Sequence, residues 1–142
     1  MILFADSGST KTSWLLYDDT IKSRKYFETL GINPIIHHHE EIYQKVFSNS
    51  ELVAIAPKVT EIKFFGAGCS STERNNLAAS ALKSIFANAT IEIDHDMKAA
   101  AYAICGNQPG IACILGTGSN SIFFDGETLV EPEFFLEIIC FP

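Results

Sequence analysis

Residues 5 to 12 (Ala5, Asp6, Ser7, Gly8, Ser9, Thr10, Lys11, Thr12) lie between apolar runs at 2 to 5 and 14 to 17. Two short apolar runs joined by a small polar turn read as a β-hairpin. Glycine lets backbone approach an anion closely, and the hydroxyls of Ser7, Ser9, Thr10 and Thr12, the Lys11 ammonium and the turn's N–H groups are all donors suited to phosphate. Asp6 is suited to a divalent cation. Turn composition by itself favours a solvated connection, because Gly, Ser and Asp are common in any tight turn. The unit recurs, however. Residues 111 to 115 are apolar, run into Gly116, Thr117, Gly118, Ser119, Asn120 and Ser121, and return through the apolar residues 122 to 124. Neither turn is a Walker A loop, which would place glycines at Ala5 and Thr10, and neither is a G-x-G-x-x-G opening a helix.

The pattern between the two turns alternates. Strands are expected at 2 to 5, 13 to 18 and about 22 to 29, with the turn at Asp18 and Asp19 joining the last two. A helix at 39 to 47 carries Ile42, Tyr43, Val46 and Phe47 on one face, and a short helical turn at 52 to 56 is ended by Pro57. A strand at 61 to 65 follows, then a helix at 72 to 87 announced by Ser70 and Glu73 as a capping box, with Leu77, Ala78, Ala81, Leu82, Ile85 and Phe86 as its stripe. A strand at 90 to 94 leads into a helix at 96 to 105, closed by Gly106. The expected order is βββαβαβα, with residues 107 to 110 as a linker to the second hairpin.

With both turns in place, the chain resembles the sugar kinase, Hsp70 and actin superfamily. Within it, the chain is similar to the N-acetylglucosamine kinase and BadF-type ATPase family. Residues 6 to 12 look like that family's first phosphate motif, and 116 to 120 like its second. Residues 30 to 34 (Leu30, Gly31, Ile32, Asn33, Pro34) look like its sugar-contacting loop, and Gly66, Ala67 and Gly68 like its glycine-rich strand end. Asp94, His95 and Asp96, followed by small residues, look like its catalytic-aspartate segment. The resemblance covers residues 1 to about 130.

The resemblance implies an α/β fold with a ribonuclease H-like, actin-like ATPase domain: a mixed sheet flanked by helices, followed by the first hairpin of a second such domain. Domains are accordingly expected at 1 to 107 and 108 to 142. It implies ATP and Mg²⁺ as cofactors and an amino sugar such as N-acetylglucosamine as substrate. Asp6 would hold the metal, residues 7 to 12 and 116 to 119 the phosphates, and Asn33 with Gly66, Ala67, Gly68 and Asp96 the sugar. Asp96 would take the proton from the attacking hydroxyl. By position alone Asp96 reads first as an N-cap and Asn33 as an ordinary loop asparagine, and the resemblance reverses that preference. Family members are roughly twice this length, so the chain is expected to be a truncated form, inactive alone. A BadF-type ATPase activator and a non-enzymatic sugar- or protein-binding domain are the alternatives.

Charge and composition narrow the partners. A net charge of −7 without clustered Lys and Arg argues against nucleic acid or an anionic membrane surface. The chain has no long apolar run and begins directly with a strand, so a cytoplasmic protein is expected. Cys69, Cys105, Cys113 and Cys140 lack C-x-x-C spacing and read as free thiols, Cys105 and Cys113 as small core residues. His37, His38 and His39 are adjacent, and three consecutive side chains cannot face one metal, so they read as a solvated helix start. Residues 134 to 142 are apolar apart from Glu137 and Pro142. Such a tail must pack on an open sheet edge or against another chain, and a homodimer is expected.

Overall fold

The computed structural model describes residues 1–115 and 119–130, Ser119 through its backbone alone. Expectations that fall on Gly116, Thr117, Gly118, Cys140 or the 134 to 142 tail, including the tail-mediated dimer, lie outside the described residues. The chain divides into two compact units, Met1–Asp96 and Met97–Pro142.

The first unit is built on a five-stranded mixed sheet in the order β3-β2-β1-β4-β5. Its strands are β1 (Ile2–Ser7), β2 (Lys11–Asp18), β3 (Ser23–Leu30), β4 (Glu61–Gly66) and β5 (Thr90–His95). β1, β2 and β3 form an antiparallel meander, whereas β4 runs parallel to β1, and β5 to β4. Strict alternation along β1 buries Leu3, Ala5 and Ser7 and turns Asp6 outward. Trp14, Phe64 and Phe86 meet in the core, with ring centroids 5.9 Å apart for Trp14 and Phe64. The Trp14 indole N–H donates to Thr29 Oγ1 at 2.9 Å, so burying this ring leaves no donor unpaired.

Helix α1 (His39–Phe47) starts where the sequence places it, with the Glu41 carboxylate accepting the His38 N–H at 2.8 Å. That bond holds the Glu41 carboxyl below the usual range. Two expectations are corrected beyond it. Pro57 does not end α2 (Ser50–Ile55); it sits inside a 3-10 turn, Ala56–Lys58, where its missing N–H costs nothing. Helix α3 (Thr72–Lys83) is capped by Ser71, whose hydroxyl accepts the Arg74 N–H at 3.4 Å, so the capping box expected from Ser70 and Glu73 is not the cap used. α3 also stops four residues early. Lys83 Nζ donates to Ala89 O at 2.7 Å and ties a turn that swings Phe86 into the core and delivers the chain to β5.

Helix α4 (Asp96–Cys105) follows β5 without a linker and is closed by Gly106 at φ +60°. Beyond Asp96 it belongs to the second unit, with β6 (Gly110–Leu115), β7 (Ser119–Phe124) and β8 (Leu129–Val130) in the order β6-β7-β8. Met97 and Ala101 are buried with Ala112 and Phe124, and for that reason α4 beyond Asp96 groups with the second unit. Cys113, expected in the core, is exposed on β6; Cys105 is half-buried. Among the described residues, no helix is long and apolar enough to cross a membrane.

Candidate functional site

The three parallel strands of the first unit end together. Ser7 on β1 is in register with Gly66 on β4, and Gly66 with His95 on β5. In open α/β sheets the carboxyl ends of parallel strands are where ligands bind, because the chain there leaves the sheet in loops and helix starts. Four of the sequence-predicted segments meet at this edge: the 7 to 12 turn, the 31 to 34 loop, the 66 to 68 strand end and Asp96.

The first turn splits its hydroxyls between two tasks. Ser7 and Thr12 are buried, their oxygens 2.6 Å apart. Ser7 Oγ accepts the Ile32 N–H at 2.9 Å and lies 2.9 Å from Ile32 O, while Thr12 Oγ1 lies 3.2 Å from Leu30 O. Both hydroxyls therefore clasp the 30 to 32 segment to the turn and point away from its mouth. Ser9 and Thr10 are exposed at the tip, and among the described residues neither hydroxyl has a protein partner. Gly8 closes the turn through its N–H to Lys11 O at 3.0 Å. Lys11 Nζ pairs with Glu28 Oε1 at 2.9 Å across β2 and β3, with both side chains more than half exposed. A pair so exposed is worth at most about 1 kcal/mol and is readily exchanged.

Gly31 explains how the loop approaches the turn. A Cβ there would fall on the Gly8 carbonyl oxygen and within 2.5 Å of the Ser9 carbonyl group, and the Gly31 N–H donates to Thr10 O at 2.9 Å. Asn33 follows. Its Oδ1 accepts the Ile35 N–H at 2.9 Å and its N–H donates to His37 Nδ1 at 3.0 Å, leaving the side-chain NH₂ with no partner among the described residues. Gly68, at φ +82°, lies so close that a Cβ would collide with Asn33 Oδ1. The Ala67 N–H donates to Ser7 O at 2.9 Å, joining the glycine-rich strand end to the turn.

Two carboxylates face this edge. The Asp6 carboxyl is pushed above the usual range, first by the crowding of surrounding atoms and then by the negative charge of Asp96, with Lys11 opposing. Cys69 lies beneath, fully buried, its thiol pushed up to about 12 by burial, Asp96 and Asp94. It is a packing thiol with no nucleophilic character at neutral pH. Among the described residues no group of three or more His, Cys, Asp or Glu side chains is arranged to hold a metal. Asp6 nevertheless fits a Mg²⁺ ion carried on phosphates, which takes one or two carboxylates and few other protein ligands. A separate open depression of about 580 Å³ beside α2 shares Thr10 and Lys11 with the turn but includes neither Asp6, Asn33 nor Asp96.

Two contributors had no role assigned from sequence. Gly31 acts through the absence of a side chain, which only the proximity of Gly8 and Ser9 reveals. His95 places Nδ1 2.9 Å from Asp96 Oδ1; its position beside the aspartate was the available signal. Gly116, Thr117 and Gly118 lie outside the described residues, and Ser119 enters only as the first residue of β7.

No protein-family model matches the chain, and no curated protein matches it. Among solved structures, the chain is similar to the crystal structure of the "Putative N-acetylglucosamine Kinase" from Porphyromonas gingivalis, at 40% identity and a TM-score of 0.80 over 99% of this chain. The chain spans 50% of the length of that structure. YeaZ from Pseudomonas aeruginosa overlaps at 16% identity and a TM-score of 0.48, covering 92% of this chain and 64% of that one.

Proposed function

We propose that this chain supplies the phosphate- and sugar-binding half of an ATP-dependent kinase acting on N-acetylglucosamine or a related amino sugar. The observation that carries the reading is the 40% identity and TM-score of 0.80 to the Porphyromonas gingivalis protein. The convergence of Asp6, Asn33 and Asp96 on the carboxyl edge of the sheet agrees with it. Membership of the wider sugar kinase and BadF-type ATPase family and a ribonuclease H-like fold belong to the same proposal.

ATP bound with Mg²⁺ supplies the γ-phosphoryl group. The protein has little covalent work in such a transfer; it aligns the reactants and spreads the phosphate charge. Ser9 and Thr10, through their hydroxyls and backbone N–H groups, would donate to phosphate oxygens, and Lys11 would exchange its exposed Glu28 partner for phosphate. Asp6 faces the cation, usually through water in Mg²⁺ sites. The Asn33 NH₂ donates to a sugar hydroxyl, and the glycines at 66 and 68 let backbone lie close to the ring. Asp96 would accept the proton of the attacking sugar hydroxyl, whose oxygen would take the γ-phosphoryl group while ADP leaves. The role of residues 116 to 119 as a second phosphate turn rests on the sequence resemblance.

The test is a fusion of this chain to the remaining half of the Porphyromonas gingivalis protein. The fusion transfers phosphate from ATP to N-acetylglucosamine, and Asp96→Asn lowers kcat by about 10²-fold or more with sugar affinity held, as expected for loss of a positioned base. Equal kcat for the two forms would reduce Asp96 to a helix-start residue. A folded fusion with no transfer to any amino sugar would overturn the reading.

A further inference from the structure

We propose that His95 is a positioning residue that holds the Asp96 carboxylate in its working orientation, an inference that rests on the reading of Asp96 as proton acceptor. β5 ends at His95 and α4 begins at Asp96 with no residue between them, so strand end and helix start place the two side chains together. Nδ1 of His95 lies 2.9 Å from Oδ1 of Asp96, the distance of a charge-assisted hydrogen bond. Both side chains are largely sheltered, at 30% and 22% exposure, so water competes for this bond less than at an open surface.

The surroundings give the contact its purpose. Asp96 carries its charge close enough to Asp6 and to the Cys69 thiol to affect both, and Asp94 bears on the same thiol. A carboxylate among acidic neighbours is pushed to rotate toward solvent unless a donor holds it. The strand end is itself fixed, because the His95 N–H donates to Asp94 Oδ1 at 2.9 Å. The bond from the imidazole to Oδ1 orients the plane of the carboxylate and with it the direction of Oδ2. Which ring nitrogen carries the proton follows: Nδ1 must be the donor, leaving Nε2 without a proton in the neutral ring.

An ordinary helix-start aspartate would be oriented by backbone N–H groups and would not depend on the imidazole. The two cases separate by NMR on the full 142-residue chain at alkaline pH, where the ring carries a single proton. Long-range ¹⁵N–¹H correlation should show His95 as the Nδ1–H tautomer, and Asp96→Ala should return it to the Nε2–H form. Three-bond couplings between the Asp96 backbone nitrogen and Cγ should report one dominant χ1 rotamer in the native chain. His95→Leu should lose that dominance, and His95→Asn, whose amide nitrogen stands near the place of Nδ1, should restore it. An Nε2–H tautomer in the native chain, or an undisturbed Asp96 rotamer in His95→Leu, would overturn the proposal. If His95→Leu does not fold, the native tautomer and its response to Asp96→Ala decide. Failure of the kinase reading would appear separately, as a fusion that transfers no phosphate while both spectra keep their predicted form.

Discussion

The hairpin of β1 and β2 and the hairpin of β6 and β7 are the same kind of sequence, yet the structure uses them differently. β1 has β2 on one side and β4 on the other, whereas β6 has β7 on one side and, among the described residues, no strand on the other. Leu3 and Ala5 are buried on β1, while on β6 only Ala112 is buried, and Ile111, Cys113 and Leu115 are exposed, Leu115 at 85%. A hairpin's own residues fix its turn and its alternation. What fixes burial is the next strand, and that strand is remote in sequence: β4 lies more than fifty residues beyond β1. The first hairpin is consequently held at its turn by buried hydroxyls, and its Asp6 carboxylate stands at the edge of a filled sheet.

The glycines on either side sharpen this contrast most. Gly31→Ala drives a methyl into the backbone of Gly8 and Ser9, atoms that cannot step aside, whereas Gly110→Ala meets the end of the Cys105 side chain at 2.7 Å. Gly31→Ala is expected to cost about 3 kcal/mol, at the upper end of overpacking, and Gly110→Ala below about 1 kcal/mol. Amide exchange in each unit measures both, and equal costs would break the comparison.

Ser7→Ala comes next. It leaves the buried Ile32 N–H without its acceptor, a loss of about 1 to 3 kcal/mol. The loss should fall on the exchange of residues 30 to 33 and leave the pairing of β1 with β4 intact. An unchanged loop would show that the clasp holds nothing.

The smallest effect concerns Asp6. Its carboxyl is raised in the folded chain, so the proton it binds favours folding; that contribution is complete below the unfolded carboxyl value and fades as pH rises through the folded one. At neutral pH the ionised carboxylate opposes folding, and Asp6→Asn should raise Tm by a degree or so there while leaving acid stability unchanged. The gap should open as pH rises above the ordinary aspartate value of about 4. A gap independent of pH would show that neither burial nor the Asp96 charge loads the Asp6 carboxylate.

Local signals carried much of this reading. The start of α1 at His39, the span of α4 from Asp96 to Cys105 and the cap at Gly106 follow from periodicity and glycine placement, and the structure reproduces them. The residues of the first turn were legible as a set, but their division was not. Ser7 and Thr12 turn inward because strand alternation and the neighbouring 30 to 32 segment claim them, and Lys11 turns to Glu28 because β3 pairs beside β2. The end of α3 was misjudged for a related reason: Ile85 and Phe86 continue the apolar stripe, but a turn tied by Lys83 buries Phe86 outside any helix. In each case the missing information was a tertiary partner, which a one-dimensional pattern does not contain.

The central claim is that the carboxyl edge of the five-stranded sheet binds an amino sugar. It is tested most directly by an amide NMR titration of the 142-residue chain with N-acetylglucosamine up to about 10 mM, ten times a millimolar Kd. The account predicts saturable shifts confined to Gly31, Ile32, Asn33, Gly66, Gly68, His95 and Asp96, abolished in a folded Asn33→Ala chain. No shifts at these residues, or shifts confined to the depression beside α2 lined by Glu28, Asn49 and Glu51, would contradict it.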